Sequence, residues 1–121
     1  MGRHAEALAA RYLVRSGMTL VQKNFHCPMG EIDLIMLDQD AIVFVEVKYR
    51  SSKRFGHGME FVDQRKQRKL RNTALAYLQR HPRYASLAQR FDVIDVAPGS
   101  SPAAPNNMEI NWLKNALQMD W

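Results

Sequence analysis

Two apolar runs separated by a short polar turn constrain the fold of this chain more than any other feature. Residues 32–37 and 42–47 are almost entirely apolar, and Asp38-Gln39-Asp40 lie between them. This pattern predicts a β-hairpin. Symmetric closure about Gln39 and Asp40 sets the register. It places Leu37 opposite Ile42, Ile35 opposite Phe44, and Asp33 opposite Glu46.

The predicted hairpin has two unlike faces, because successive side chains of a strand point to opposite sides. One face is wholly apolar and is expected to pack in the core. The other face is apolar near the turn and charged at its far end. A sheet that is apolar on both sides over most of its length is typically covered on both sides. The first face holds Ile32, Leu34, Met36, Val43, Val45 and Val47; the second holds Glu31, Asp33, Ile35, Leu37, Ile42, Phe44, Glu46 and Lys48.

The charged end of the hairpin brings two carboxylates together. Directly opposed residues have Cβ atoms about 4.5–5.5 Å apart, and like charges at that spacing are destabilising. A divalent cation between Asp33 and Glu46 removes this cost, and Mg²⁺ prefers oxygen ligands of this kind. The alternative is structural. In the same register Lys48 lies opposite Glu31, so Glu46–Lys48 and Glu31–Lys48 are also explained as ordinary ion pairs on a half-exposed sheet.

The remainder of the chain predicts an α/β protein. Apolar residues at helical spacing, and a glycine placed to end the first helix, define two helices. Shorter apolar runs define further strands around the hairpin. The order α-β-β-β-α-β indicates a mixed central sheet flanked by helices. The expected helices cover residues 3–16 and 60–80, the expected strands 18–25, 32–37, 42–47 and 91–96, and residues 108–121 are expected to hold a short strand and a last helical turn.

Length and composition limit the class of protein. The chain has 121 residues and no linker, which predicts a single domain over residues 1–121. It has no stretch of 18 apolar residues, so no membrane-spanning helix is expected. A single cysteine, Cys27, excludes an intramolecular disulfide framework and fits a reducing compartment, so we expect a cytoplasmic location.

The positive charge is concentrated in one segment. The chain carries a net charge of +5 and has a pI near 9.7. Residues 50–71 carry +6, and the rest of the chain carries −1. A basic segment suggests a polyanionic partner, although a solvated helix face is the default interpretation. The segment begins two residues after Lys48. Its basic residues are Arg50, Lys53, Arg54, Arg65, Lys66, Arg68, Lys69 and Arg71.

The hairpin motifs resemble a known group. Residues 30–35 (Gly-Glu-Ile-Asp-Leu-Ile) and 44–50 (Phe-Val-Glu-Val-Lys-Tyr-Arg) resemble the core of PD-(D/E)xK nucleases. Ile32 stands where the motif has proline. The whole chain resembles the YraN-like family of bacterial proteins, which is similar to Holliday-junction resolvases of that superfamily. The resemblance also includes Gly2-Arg3 with Glu6 and Ala9, Lys66-Gln67, and Arg90-Phe91-Asp92-Val93.

The resemblance implies a restriction-endonuclease-like fold and a set of site residues. Asp33 and Glu46 would bind Mg²⁺ or Mn²⁺, with the backbone carbonyl of Val47 as a further ligand. Lys48 would hold or polarise the attacking water. The same resemblance makes Glu6 a candidate accessory ligand and Glu31 a supporting residue. Each also has a plainer explanation. Glu6 fits an exposed acid favoured by the helix dipole, and Glu31 fits an ion-pair partner of Lys48.

The function implied is a metal-dependent endonuclease that acts on DNA, with branched or damaged DNA in repair or recombination as candidate substrates. Arg50, Lys53, Arg54 and the basic residues of segment 65–71 would contact backbone phosphates. Junction resolution needs two symmetric cuts and so implies a homodimer. One alternative is a non-catalytic protein that binds nucleic acid or scaffolds a complex on a retained nuclease fold. Another is a subunit whose basic helix meets an acidic protein.

Overall fold

A computed structural model describes residues 2–49, 63–98 and 108–117, and the following account concerns these residues. They form two helices, a short 3₁₀ turn and five strands. The segment 50–62 and the segment 99–107 lie outside the described residues. The elements are α1 (Gly2–Arg15), β1 (Thr19–Cys27), β2 (Gly30–Asp38), β3 (Ala41–Tyr49), α2 (Gln64–Arg80), the 3₁₀ turn (Pro82–Tyr84), β4 (Ala88–Pro98) and β5 (Met108–Leu117).

The five strands form one mixed sheet in the order β1-β2-β3-β4-β5. β3 and β4 are parallel, and the chain between them includes α2. The other neighbouring pairs are antiparallel. The predicted α-β-β-β-α-β order is confirmed, and β5 extends it. Residues 108–117 are strand throughout, so the helical turn expected in the tail does not occur within them.

The helix ends follow from identifiable residues. Gly17 has φ +103°, and the N–H of Met18 donates to the carbonyl of Leu13, which closes α1 as the sequence predicts. α2 begins later than the predicted residue 60 because the side chain of Asp63 caps it, accepting from the N–H of Lys66 at 2.8 Å.

The sheet separates two apolar layers, as the two-faced hairpin predicts. Beneath α2, Phe44 is fully buried, and burying a side chain of this size contributes about 1.5–3 kcal/mol. On the opposite face of the sheet, Leu13 of α1 packs against the same strands. The α2 layer includes Ile35, Ile42, Phe44, Leu70, Ala74, Tyr77 and Phe91; the α1 layer includes Ala9, Leu13, Leu34, Met36, Val43, Val45 and Ile94.

One face assignment is wrong. The alternation of β2 predicts that Ile32 shares the face of Leu34 and Met36, yet Ile32 packs in the α2 layer while the other two pack in the α1 layer. The alternation is therefore broken between Ile32 and Leu34, and Asp33 lies at the break. Asn24 lies at the same level of β1, between the Lys23–Leu34 and Phe25–Ile32 pairs, and has φ +53°. Asn tolerates this left-handed conformation better than most residues.

Candidate active site

The hairpin register is confirmed near the turn and changes at the charged end. Leu37 pairs with Ile42 and Ile35 with Phe44, as predicted, and the ladder continues to Leu34–Val45. At the next position the side chain of Asp33, instead of a backbone carbonyl, accepts the hydrogen bond from β3. Its Oδ2 accepts a hydrogen bond of 2.8 Å from the N–H of Val47. Asp33 is thereby directed toward β3 and toward the neighbouring Glu46.

The carboxyls of Asp33 and Glu46 lie within hydrogen-bonding reach of each other. The Glu46 side chain is only 14% exposed. Burial, followed by the neighbouring Asp33, raises the pKa of Glu46 to about 8. Removal of a carboxylate from water disfavours its charged form, and a second carboxylate adds to that effect. The two acids predicted from the sequence therefore meet at an electrostatically unfavourable spacing.

Glu6 of α1 lies on the other side of Asp33. Its carboxyl is within hydrogen-bonding reach of both Asn24 and Asp33. Burial, and then the charge of Asp33, raises the pKa of Glu6. The structure thus brings Glu6 to Asp33, one of the two hairpin acids. Asn24, which sequence reasoning missed, is a polar side chain in a strand; its position opposite Asp33 follows only from the β1–β2 register.

Two lysines face the acids. Lys48, on β3, is near Glu46, Asp33 and Lys66, and burial, followed by the adjacent Lys66, lowers the pKa of Lys48. Lys66, in the first turn of α2, places its Nζ 3.7 Å from Oε2 of Glu46. Sequence reasoning treated Lys66 as a phosphate contact and did not anticipate this pair.

Glu31 occupies a different position from the one expected. Its Oε2 lies 3.0 Å from Nδ1 of His26 on β1, and both side chains are largely exposed. The register expectation that set Lys48 opposite Glu31 fails because the β2–β3 ladder ends at Leu34–Val45. Glu31 is therefore at the rim of the site, and Lys48 is directed to Glu46.

A cleft of about 580 Å³ opens over Glu46 between the β1–β2 turn and the start of α2. Basic side chains of α2 form one wall, and the Gly30–Glu31 end of β2 forms part of the other. Arg68 and Arg71 lie on the same helix but do not line the cleft, and Arg50, Lys53 and Arg54 lie outside the described residues. The basic lining consists of Arg65, Lys66 and Lys69.

Asp92 and Asp95 are core residues. Both are fully buried. Asp92 accepts from Arg90 at 3.0 and 3.1 Å, and Arg90 also contacts Asp38 at 3.0 Å. The indole N–H of Trp112 and the backbone N–H of Asn115 also donate to Asp92, each at 2.9 Å. This network joins β4, β5 and the hairpin turn, so Asp92 has a structural role.

The donor set is compatible with a hard divalent cation. In the described part of the chain, no group of three or more His, Cys, Asp or Glu side chains has the geometry to hold a metal ion. The converging donors are the Asp33 and Glu46 carboxylates, with Glu6 against Asp33. Mg²⁺ is commonly bound by one or two carboxylates, with water and substrate phosphate completing its shell. The residues present fit that mode.

A mixed five-stranded sheet with a helix on each face, and acids at the split end of its central hairpin, defines an α/β protein of the restriction-endonuclease-like class. The family model "Uncharacterised protein family UPF0102" matches residues 5–96. The chain therefore belongs to the UPF0102 (YraN) family, as the motifs predicted. No helix among the described residues is long and apolar enough to cross a membrane.

Curated relatives support the same assignment over nearly the whole chain. A UPF0102 protein of Stutzerimonas stutzeri (strain A1501) is 46% identical over 118 residues, covering 97% of this chain and 93% of the relative. One from Alcanivorax borkumensis is 44% identical over 116 residues, covering 96% and 90%. One from Coxiella burnetii (strain RSA 493) is 40% identical over 121 residues, covering 100% and 94%. These names identify the family, and the chemistry is inferred from the site.

Proposed function

We propose that this protein is a divalent-cation-dependent endonuclease that hydrolyses phosphodiester bonds in DNA. The observation that carries the proposal is the convergence of Asp33, Glu46 and Lys48 beside a cleft that Glu46 and Lys66 line. A fold under selection for stability alone has no reason to bring two partly buried carboxylates together, because like charges at close range repel each other. A cation-binding role supplies the reason.

The cation ligands proposed are Asp33 and Glu46, with the Val47 carbonyl as a backbone ligand and Glu6 as an accessory group. Oδ2 of Asp33 is fixed by the Val47 N–H, which orients the carboxylate toward Glu46. Mg²⁺ or Mn²⁺ bound there would offset charge on a scissile phosphate and lower the pKa of a bound water.

Hydrolysis requires that a water oxygen adds to phosphorus while one phosphorus–oxygen ester bond breaks. The proton lost by the water passes to solvent or a nearby base, and the departing sugar oxygen takes up a proton. Lys48 lies beside both carboxylates, which supports a role for its ammonium in holding the water and in stabilising charge that develops on the phosphate.

The basic side chains of α2 at the cleft favour a polyanion as substrate, although Glu31, Glu46 and Asp63 also line it. Arg65, Lys66 and Lys69 line it, and Arg68 and Arg71 continue the positive charge along α2. Contacts of this kind position a phosphate backbone without reading its sequence. They also predict that binding weakens steeply as salt rises, since each neutralised phosphate releases counterions.

The decisive experiment incubates labelled duplex, four-way junction and single-stranded DNA with the protein in Mg²⁺, Mn²⁺ or EDTA. Glu46→Gln and Lys48→Met are compared with Glu31→Gln, a matched control because Glu31 lines the same cleft but is exposed. We expect cation-dependent cutting that falls by about 100-fold or more in the first two variants. The control should retain cutting.

Two results would overturn the nuclease proposal. Salt-sensitive binding without cutting in any cation would indicate a nucleic-acid-binding or scaffold protein with a retained nuclease fold. Cutting that survives in Glu46→Gln would show that this site is not its source. Cutting of the four-way junction, measured at several protein concentrations, tests for a homodimer. If two subunits make the paired cuts, the yield of paired cuts depends on protein concentration.

A further inference from the structure

Lys66 occupies a position that helix stability does not explain. It lies in the first turn of α2, which contains Arg65 and no acidic residue. Positive side chains near a helix N-terminus are unfavourable, because the helix dipole places partial positive charge there. The capping carboxylate of Asp63 accepts from the Lys66 backbone N–H, which leaves the side chain of Lys66 extended into the cleft.

The Lys66 ammonium meets a carboxylate that has a second like charge beside it. Its Nζ is 3.7 Å from Glu46 Oε2, and Glu46 is in turn next to Asp33. Lys66 therefore supplies part of the positive charge that offsets this acid pair when Glu46 is ionised in the metal-free protein. Lys48 supplies another part from the strand side.

Lys48 and Lys66 differ in how freely their ammonium groups can move away from Glu46. Lys48 belongs to the central strand β3, and burial is the main influence on its ammonium. The Lys66 side chain is 36% exposed and opens into a cleft that also contains Arg65 and Lys69. A divalent cation between Asp33 and Glu46 would repel both ammonium groups, and Lys66 has an open path outward.

We propose that Lys66 is an exchangeable counter-charge. It faces Glu46 when no cation is bound and offsets the charge of the ionised carboxylate, and it turns outward to a phosphate of the substrate when a divalent cation takes its place. This inference rests on the proposed function, since it assumes the cation site at Asp33 and Glu46. It assigns Lys66 a positioning role at that site in addition to the phosphate contact expected from the sequence.

If Lys66 exchanges in this way, the binding of the cation and the binding of nucleic acid both depend on its side chain. Lys66 competes with the cation for Glu46, so it lowers cation affinity in the absence of nucleic acid. A bound phosphodiester draws Lys66 away from Glu46, so nucleic acid raises cation affinity. By linkage the cation must raise nucleic-acid affinity by the same factor. Both effects should disappear when the ammonium of Lys66 is removed.

The test titrates Mn²⁺ into the full chain by calorimetry, without nucleic acid. Lys66→Met should bind Mn²⁺ about tenfold more tightly than the unsubstituted protein, because a positive charge beside Glu46 is lost. Lys69→Met is the matched control, since it removes one exposed charge from the same cleft. It should change the affinity less than about twofold, because solvent and salt screen its charge. Lys66→Arg should behave like the unsubstituted protein.

A second arm repeats the titration with a saturating phosphorothioate duplex. This DNA should tighten Mn²⁺ binding in the unsubstituted protein and in Lys66→Arg, and should do so much less in Lys66→Met. If all chains bind Mn²⁺ but Lys66→Met matches Lys69→Met, the exchange is refuted and the cation site stands. If neither the unsubstituted chain nor Lys66→Met binds Mn²⁺, both the exchange and the proposed function are refuted.

Discussion

The N–H of Val47 donates a hydrogen bond of 2.8 Å to Oδ2 of Asp33, where a backbone carbonyl would otherwise continue the β2–β3 ladder. A side chain thus substitutes for the main chain at the point where the hairpin splits. The contact both ends the ladder and orients one carboxylate of the candidate site. Asp33 is therefore expected to affect stability as well as function.

Replacement of Asp33 separates these two contributions. Asp33→Ala leaves the Val47 N–H without its acceptor and should lower the free energy of unfolding by about 1–3 kcal/mol. Asp33→Asn keeps an oxygen acceptor and removes the negative charge next to Glu46, so it should cost little or nothing. Urea unfolding in EDTA measures both. Equal losses in the two variants would show that the hydrogen bond contributes nothing.

The stability of the cation-free protein should depend on pH through Glu46. The pKa of Glu46 is raised from 4.5 to about 8 in the folded protein. Between these values the folded state holds a proton that the unfolded chain has released. The stabilisation is therefore fully present below pH 4.5 and is lost as pH rises through the folded value.

Comparison with Glu46→Gln isolates this effect, since Gln does not titrate. Between pH 4.5 and about 8, the unfolding free energy of the unsubstituted chain, relative to the variant, should fall by up to about 1.4 kcal/mol per pH unit. Urea unfolding in EDTA at several pH values provides the measurement. A difference that stays flat, or rises with pH, would contradict the raised pKa of Glu46.

Asp92 should matter for stability and not for the cation site. Asp92→Ala removes the buried acceptor of Arg90, Trp112 and the Asn115 N–H, which should cost about 3 kcal/mol or more. Asp40→Ala, at the exposed hairpin turn, is the control and should change stability by less than about 0.5 kcal/mol. If Asp92→Ala remains folded yet loses Mn²⁺ binding in calorimetry, Asp92 has been misassigned.

Gly30 should tolerate no larger residue, because β2 approaches α2 closely there. Its φ is +149°, and a Cβ atom would lie 2.9 Å from Oγ1 of Thr73. We expect Gly30→Ala to destabilise by about 1–3 kcal/mol through strain and contact together. Gly17→Ala is a useful comparison, since Gly17 has φ +103° but open space around a Cβ, and reports the backbone strain alone.

Thr73→Ala in the Gly30→Ala background completes the experiment. The second change removes Oγ1 of Thr73, so it should recover the part of the loss caused by contact. Thermal unfolding of the single and double variants gives the coupling between the two sites. Full additivity would mean that the close approach of β2 to α2 is not the cause.

The fold could be predicted to a large extent because its signals are local. The apolar alternation of β2 and β3, with two residues at the turn, determines a hairpin register that needs no distant contact, and the Leu37–Ile42 pair confirms it. Gly17 and Pro82 end the helices through their own backbone chemistry. The UPF0102 assignment followed from the same motifs.

The amino-acid sequence by itself thus determined the elements, the hairpin register and which acids share the hairpin's charged end. Tertiary structure alone decided three things: the break in alternation that moves Ile32 to the α2 layer, the contact of Glu6 with Asp33, and the ion pair between Lys66 and Glu46. The reason is physical. Periodicity reports which side of one element a residue occupies, whereas these contacts depend on how α1 and α2 dock on the sheet, and that depends on the packing of both layers together.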